Sequence, residues 1–153
     1  MSSIVDMLRI DNSGSMERMT FVTELPTSVG TPLVRMVNVM LVDDSASFRN
    51  TAAQFVSEVC GANVVGQADS GETAIEMALR LRPQLILMDL AMSGINGIEA
   101  ARRIKAADAG IKIVILTLNN GREYRELAQS LALDGFISKT DFTTVVCSVI
   151  EAV

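Results

Sequence analysis

The chain has 153 residues, 49% of them apolar and 20% charged, a length that fits one domain able to bury roughly 70% of its unfolded surface without a metal or disulfide framework. A net charge of −5 removes the electrostatic basis for gripping phosphate backbones, so no direct nucleic-acid contact is expected. The longest apolar stretches, such as Ile113 to Leu116 and Val145 to Ile150, stop well short of the roughly 18 residues a bilayer crossing needs, and acidic Asp6 precedes any sustained apolar run. Neither a membrane span nor a secretory signal is expected, which places the chain in the cytoplasm.

In chain order, residues 1–36 hold Ser, Thr, Gly and Pro clusters (Ser13 to Ser15, Pro26 to Pro32) with no lasting apolar period. They read as a flexible leader in which Ile4 to Ile10 suits a short helix or docking element. From residue 37 to residue 153 short β-rich runs alternate with amphipathic stretches. The first strand candidate is Val37 to Val42, followed by Phe48, Ala52, Phe55, Val56 and Val59 at helical spacing up to Gly61, a natural left-handed stop. Ala62 to Gln67 forms the second strand candidate. Asp69 and Glu72 are spaced as a capping box for a helix carrying Ala74, Ile75, Ala78 and Leu81 before Pro83. Gln84 to Met88 is the third strand candidate, and Ile98, Ala101 and Ile104 mark the third helix. Ile111 to Leu116, the helix of Tyr124, Leu127, Ala128 and Leu131, the strand Gly135 to Ser138, and the helix of Phe142, Val145, Val146, Val149 and Ile150 complete the series. Two strands are almost wholly apolar, as strands covered on both faces are. Strict alternation predicts right-handed crossovers and a doubly wound α/β domain, a five-stranded parallel sheet with helices on both faces; if its order is the flavodoxin-like 2-1-3-4-5, strand order reverses between the first and third strands.

In such sheets ligands bind beyond the carboxyl ends of the strands, at the point where strand order reverses. Those ends are all polar here: Asp43 and Asp44 after the first strand, Asp89 at the third, Thr117 at the fourth, Lys139 after the fifth. Three carboxylates against one lysine leave two uncompensated negative charges. Carboxylate oxygens without histidine or thiolate suit a hard divalent ion, and Mg²⁺ shared with a phosphoryl oxygen is the natural candidate. The chain has no histidine, which excludes a His general base and Cys/His nucleophilic chemistry. Its two cysteines, Cys60 and Cys147, show no metal-binding spacing and read as buried packing residues.

The runs Leu41-Val42-Asp43-Asp44-Ser45, Leu85 to Leu90 around Asp89, Gly97-Ile98-Glu99-Ala100, then Thr117, then Gly135-Phe136-Ile137-Ser138-Lys139 resemble the receiver domain of two-component response regulators over residues 37–153. That resemblance implies a phosphoprotein of signal transduction, not an enzyme. In it, Asp89 takes a phosphoryl group from a phosphohistidine on a sensor histidine kinase or phosphotransfer protein. It further implies Mg²⁺ held by Asp43, Asp44, Asp89 and the backbone carbonyl of Ala91. Lys139 would pair with phosphoryl oxygens, the Thr117 hydroxyl would move to bond one of them, and the Phe136 ring would turn inward with it. The chemistry agrees, since phosphoryl transfer asks mainly for positioning and charge neutralisation, and a carboxylate nucleophile needs no general base. Output is expected through a partner or a second copy on the face of residues 121–153, with Tyr124 and Arg125 as contacts, unless the chain is a fragment of a longer regulator.

Departures from the family pattern are Ser93 and Thr140, where proline is usual, and Leu118, where a small residue is usual. They point to atypical transfer or hydrolysis rates, tuned further by Ala91 and Asn119. The alternative reading is a degenerate receiver serving as a phosphorylation-independent interaction module. A haloacid dehalogenase-like phosphatase needs a second acid two residues after its nucleophile, where Ala91 stands. A flavin cradle is opposed by the acidic Asp43 and Asp44, which would repel its phosphate.

Overall fold

The computed structural model describes residues 4–10, 16–22, 35–118 and 122–153. Two strands open the chain: β1 (Ile4–Ile10) pairs antiparallel with β2 (Met16–Val22), Ile4 opposite Val22 and Ile10 opposite Met16. Ile4 to Ile10 is therefore a strand, not the short helix its composition allowed. The clusters at Ser13 to Ser15 and Pro26 to Pro32 lie outside the described residues.

The main body follows the predicted alternation: β3 (Asn38–Val42), α1 (Ala46–Glu58), β4 (Asn63–Ala68), α2 (Gly71–Leu81), β5 (Leu85–Asp89), α3 (Gly97–Ala107), β6 (Lys112–Thr117), α4 (Arg122–Ser130), β7 (Gly135–Ser138) and α5 (Phe142–Glu151). The strands form one parallel sheet in the order β4-β3-β5-β6-β7. Counted within this sheet, that is the 2-1-3-4-5 order expected of a flavodoxin-like fold. Four of the five strands start one residue later than the sequence reading placed them, so Asp89 and Thr117 are themselves the last strand residues.

Period-two alternation sorts the strand side chains into two cores. Met40, Val42, Ile86, Met88, Ile113 and Ile115 meet Ala74 and Ala78 of α2 and Ile98, Ala101 and Ile104 of α3 on one face. Val39, Leu41, Leu85, Leu87, Val114 and Leu116 meet Ala52, Ala53 and Val56 of α1 and Phe142, Val146, Val149 and Ile150 of α5 on the other. Burying both faces explains why β5 is sealed along its whole length.

The first three helices start on side-chain caps. Ser45 Oγ accepts the Phe48 N–H at the head of α1, and Asn96 Oδ1 accepts the Glu99 N–H at the head of α3. For α2 the cap is Ser70, whose Oγ accepts the Thr73 N–H. The expected Asp69 and Glu72 box does not form, because Glu72 instead accepts the Ile95 N–H at 3.2 Å and ties α2 to the loop before α3. Gly61 does adopt the left-handed conformation expected of it, at φ +66°.

The two cysteines correct a further expectation. Cys60, just past α1, and Cys147, within α5, are joined in a disulfide with their Cα atoms 4.9 Å apart. They lie beside the α1/α5 core, and both are half-buried. The first strand of the hairpin also reaches this side of the molecule, since β1 lies against β7 and α5.

Candidate functional site

Parallel register brings the polar strand ends into one layer. Val42 lies opposite Met88, Asp89 opposite Leu116, and Thr117 opposite Ser138, so Asp43, Asp89, Thr117 and Lys139 emerge side by side at one edge of the sheet. Sequence order reverses between β3 and β5, which opens the crevice there.

Asp43 is 2% exposed, Asp89 4% and Thr117 5%, whereas Asp44 faces solvent. The Asp43 main chain is fixed on two sides, its N–H donating to the Ala68 carbonyl at 3.1 Å and its own carbonyl accepting the Arg49 guanidinium at 2.6 Å. Its side-chain Oδ1 accepts the Ser45 N–H at 2.8 Å. Behind Asp89, the Leu90 N–H donates to the Leu116 carbonyl and the Gly97 N–H to the Leu90 carbonyl. Gly97 sits so close that a methyl group in its place would lie 2.1 Å from the Asp89 carbonyl oxygen. Only glycine lets α3 begin against the backbone of this aspartate.

Lys139 bridges the carboxylates. Its Nζ is 2.6 Å from Asp43 Oδ2 and 3.2 Å from Asp89 Oδ1. A ring lies beneath it too, with the ammonium 4.6 Å from the centre of Phe48. Phe48 in turn meets the edge of Phe142 at 5.5 Å, and Phe55 meets Phe142 at 6.4 Å, so an aromatic trio from α1 and α5 supports the lysine.

The charges record a shortage of positive partners. Burial, reinforced by the neighbouring Asp43 charge, pushes the Asp89 carboxyl above its ordinary value. Lys139 and the Ala91 N–H pull it back only in part. For Lys139 burial acts downward, but Asp43 and Asp89 together outweigh it and hold the ammonium above its usual value. Asp43 Oδ2 is buried and, although close to Lys139, receives no well-directed hydrogen bond.

Ligand oxygens of Asp43, Asp44 and Asp89 all lie within 4.8 Å of one another. Three carboxylates, one carrying an underused buried oxygen and one open to solvent, suit a hard divalent cation that keeps water ligands. The residues present thus fit Mg²⁺.

Asp43, Asp44, Asp89, Thr117 and Lys139 gather at this edge, whereas Phe136 lies two residues inside it, opposite Ile115. Ala91 follows two residues after Asp89 and is exposed, and Phe136 is half-buried on β7 against the first core. Leu118 projects into solvent at 72% exposure, and Ser138 Oγ and Thr140 Oγ1 lie 2.8 Å apart. Asn119 lies outside the described residues, as do the side chains of Tyr124 and Arg125. Sequence reasoning passed over Arg49, Phe48 and Gly97 as supports. Phe48 reads as ordinary core from its helical spacing, and the contact of Gly97 with Asp89 exists only in the tertiary fold.

Comparison with known proteins gives one consistent result. The family model described as "Response regulator receiver domain" matches residues 39–149. "Response regulator GacA" of Pseudomonas aeruginosa is 33% identical over 104 residues, 68% of this chain and 49% of the relative. "Response regulator UvrY" of Escherichia coli K12 is 33% identical over 118 residues, 77% of this chain and 54% of the relative. The chain thus spans about half the length of the curated relatives it matches. Among solved structures, a "two-component response regulator, LuxR family" from Aurantimonas sp. SI85-9A1 superposes with a TM-score of 0.72 at 28% identity, covering 76% of this chain and 84% of that one. The "response regulator domain of Thermotoga maritima CheB" superposes with a TM-score of 0.65 at 31% identity, covering 77% and 93%.

Proposed function

This chain belongs to the response regulator receiver domain family, and on that premise we propose that Asp89 is a phosphoacceptor charged by a sensor histidine kinase or phosphotransfer protein in the cytoplasm. Residues 37–153 are the receiver in this reading and residues 1–36 a leader. The observation that carries it is the convergence of Asp43, Asp44 and Asp89 with Lys139, 3.2 Å from Asp89, at the reversal point of the sheet.

A carboxylate oxygen of Asp89 attacks the phosphorus of a phosphohistidine; a P–O bond forms, the P–N bond breaks, and the imidazole leaves. Asp43, Asp44, Asp89 and the Ala91 carbonyl would hold Mg²⁺, which would neutralise the charge that the three carboxylates set against an incoming phosphoryl group. Lys139, steadied by Phe48 and Phe142, is already placed to take a phosphoryl oxygen. Arg49 and Ser45 hold Asp43 so that its carboxylate keeps its aim. Gly97 fixes the Asp89 backbone from behind.

The acyl phosphate carries about −1.5 to −2 charge where the Asp89 carboxylate carried −1, a net gain of about −0.5 to −1 placed on oxygens beside Lys139 and Thr117. The Thr117 hydroxyl and Phe136 then shift together and bias the face of α4, β7 and α5 between two arrangements. That face, within residues 121–153, meets an output partner or a second copy. The molecule is thus a stoichiometric signalling acceptor, not a turnover enzyme. The complete acidic site lends no support to a phosphorylation-independent module.

The test is intact mass after incubation with an acyl phosphate and Mg²⁺. One phosphoryl group per chain, lost when a chelator is present in excess, is the expected result. Equal labelling with and without chelator refutes the metal-dependent reading.

A further inference from the structure

We propose that Cys60 and Cys147 form a thiol–disulfide exchange site, oxidised to lock α5 onto α1 and reduced by a small thiol or dithiol to release it. These are the chain's two cysteines. Separated by 87 residues in sequence, they are brought to a Cα–Cα distance of 4.9 Å, within the range a disulfide spans without backbone movement.

Three features distinguish the pair from an inert structural staple. Both residues are half-buried, unlike their sealed neighbours Val56, Val146 and Val149, so the bond lies at the margin of the core where a thiolate has access. Cys60 lies beyond the end of α1 and runs straight into Gly61 at φ +66°; its N–H makes a 3.3 Å bond to the Phe55 carbonyl, which the Val59 N–H already holds at 2.9 Å, so Cys60 sits outside the regular ladder of α1 on a second, longer bond. The third feature is the helix it tethers. From Phe142 to Ile150 α5 carries no charged residue, so no salt bridge from this span holds it to α1, which it meets through Phe142, Val146, Val149 and Ile150 and through this covalent link. The α1/α5 seam therefore has two ends. At one end Phe48, Phe55 and Phe142 interlock, and at the other stands the disulfide.

Reduction is a balanced two-electron exchange. A thiolate of the reductant attacks one sulfur, forming a mixed disulfide and expelling the other cysteine as thiolate. A second reductant thiolate then attacks the mixed disulfide and expels the first cysteine. Both protein thiolates take up protons, and the reductant leaves as its own disulfide. The reverse sequence, with oxidised glutathione as oxidant, closes the bond. In a compartment that keeps thiols reduced, such a pair closes only on oxidation, which makes α5 attachment a record of redox state.

The experiment uses the full chain equilibrated with oxidised glutathione or with dithiothreitol in native buffer, then alkylated and mapped, with hydrogen exchange run on both forms. Expected are a linked Cys60–Cys147 peptide with no alkylation after oxidation, and one alkyl group on each cysteine after reduction with circular dichroism unchanged. Amides of residues 143–151 should exchange about tenfold faster or more in the reduced form, as an opening freed of a covalent tether does, while Val39 to Val42 and Leu85 to Met88 stay protected. Cys60→Ser should behave as reduced under both conditions; if it fails to fold, the wild type in dithiothreitol carries the same comparison. The proposal is overturned if both thiols remain free after oxidation, if the bond resists dithiothreitol until the protein is denatured, if reduction unfolds the whole domain, or if exchange in α5 is the same in both forms. No readout involves phosphorylation, so the outcome is independent of the receiver reading.

Discussion

Gly97→Ala probes the proposed phosphoacceptor Asp89 without touching any charged group. The new methyl would sit 2.1 Å from the Asp89 carbonyl oxygen, 3.0 Å from its carbonyl carbon and 3.1 Å from Leu90 Cα. All three are backbone atoms, so no flexible side chain can swing away. Restoring a normal contact requires the Asp89 carbonyl and the head of α3 to separate by about 1 Å, since packed interiors tolerate no such overlap. Overpacking of this kind costs about 1–3 kcal/mol, and the better helix propensity of alanine returns less than about 1 kcal/mol. The larger effect should be kinetic, because about 1 Å of misplacement at a reacting group costs on the order of 100-fold. Urea denaturation gives the first quantity, and time-resolved intact mass with an acyl phosphate and Mg²⁺ gives the second. Gly135→Ala is the control, its methyl meeting only Val114 at 3.7 Å. If Gly97→Ala matches wild type in both stability and labelling rate, the claim that this glycine positions Asp89 is wrong.

Lys139→Met removes the cation from between Asp43 and Asp89, and leaving buried carboxylates unpaired should cost about 3 kcal/mol in metal-free buffer. Adding Mg²⁺ should recover part of that loss in thermal denaturation, and no recovery would argue against a cation site. Cys60→Ser should lower stability by up to about 4.6 kcal/mol against the oxidised wild type, the chain-entropy value for so long a loop, with the gap nearly closing in dithiothreitol. Hydrogen bonds from Arg102 and Arg103 hold the Glu99 carboxyl down at about 2, below its ordinary 4.5. Because the folded value is depressed, its small, salt-screened contribution is present above pH about 4.5 and disappears as pH falls toward 2. Glu99→Gln should accordingly differ from wild type in denaturant midpoint at pH 7 and converge with it near pH 2; a constant difference across that window would contradict the ion-pair origin.

The sheet was legible because its strands announce themselves twice, by β-rich apolar runs and by the helical spacing between them. Leu85 to Met88 reads as a strand covered on both faces and is one. The site edge was legible for the same reason, since each polar residue interrupts an apolar run where its strand stops, and parallel register does the rest. Caps were less so: Ser70 outcompetes Asp69 at the head of α2 because Glu72 is drawn to the Ile95 N–H, a contact 23 residues away. The disulfide was illegible, as two cysteines 87 residues apart carry no spacing signal and meet only through packing of α1 on α5. The pairing of Ile4–Ile10 with Met16–Val22 was hidden by a texture whose apolar residues follow no sustained period. The support of Lys139 by Phe48 could not be separated in sequence from ordinary core packing.

The central claim is that Asp89, and no other carboxylate of the cluster, carries the phosphoryl group. Labelling wild type and Asp89→Asn with an acyl phosphate in Mg²⁺, then trapping the acyl phosphate with borohydride and mapping the peptides, tests it directly. The account predicts a single modified position at Asp89 in wild type and no covalent phosphate in Asp89→Asn. Modification at Asp43 or Asp44, or an Asp89→Asn protein that labels like wild type, would contradict it.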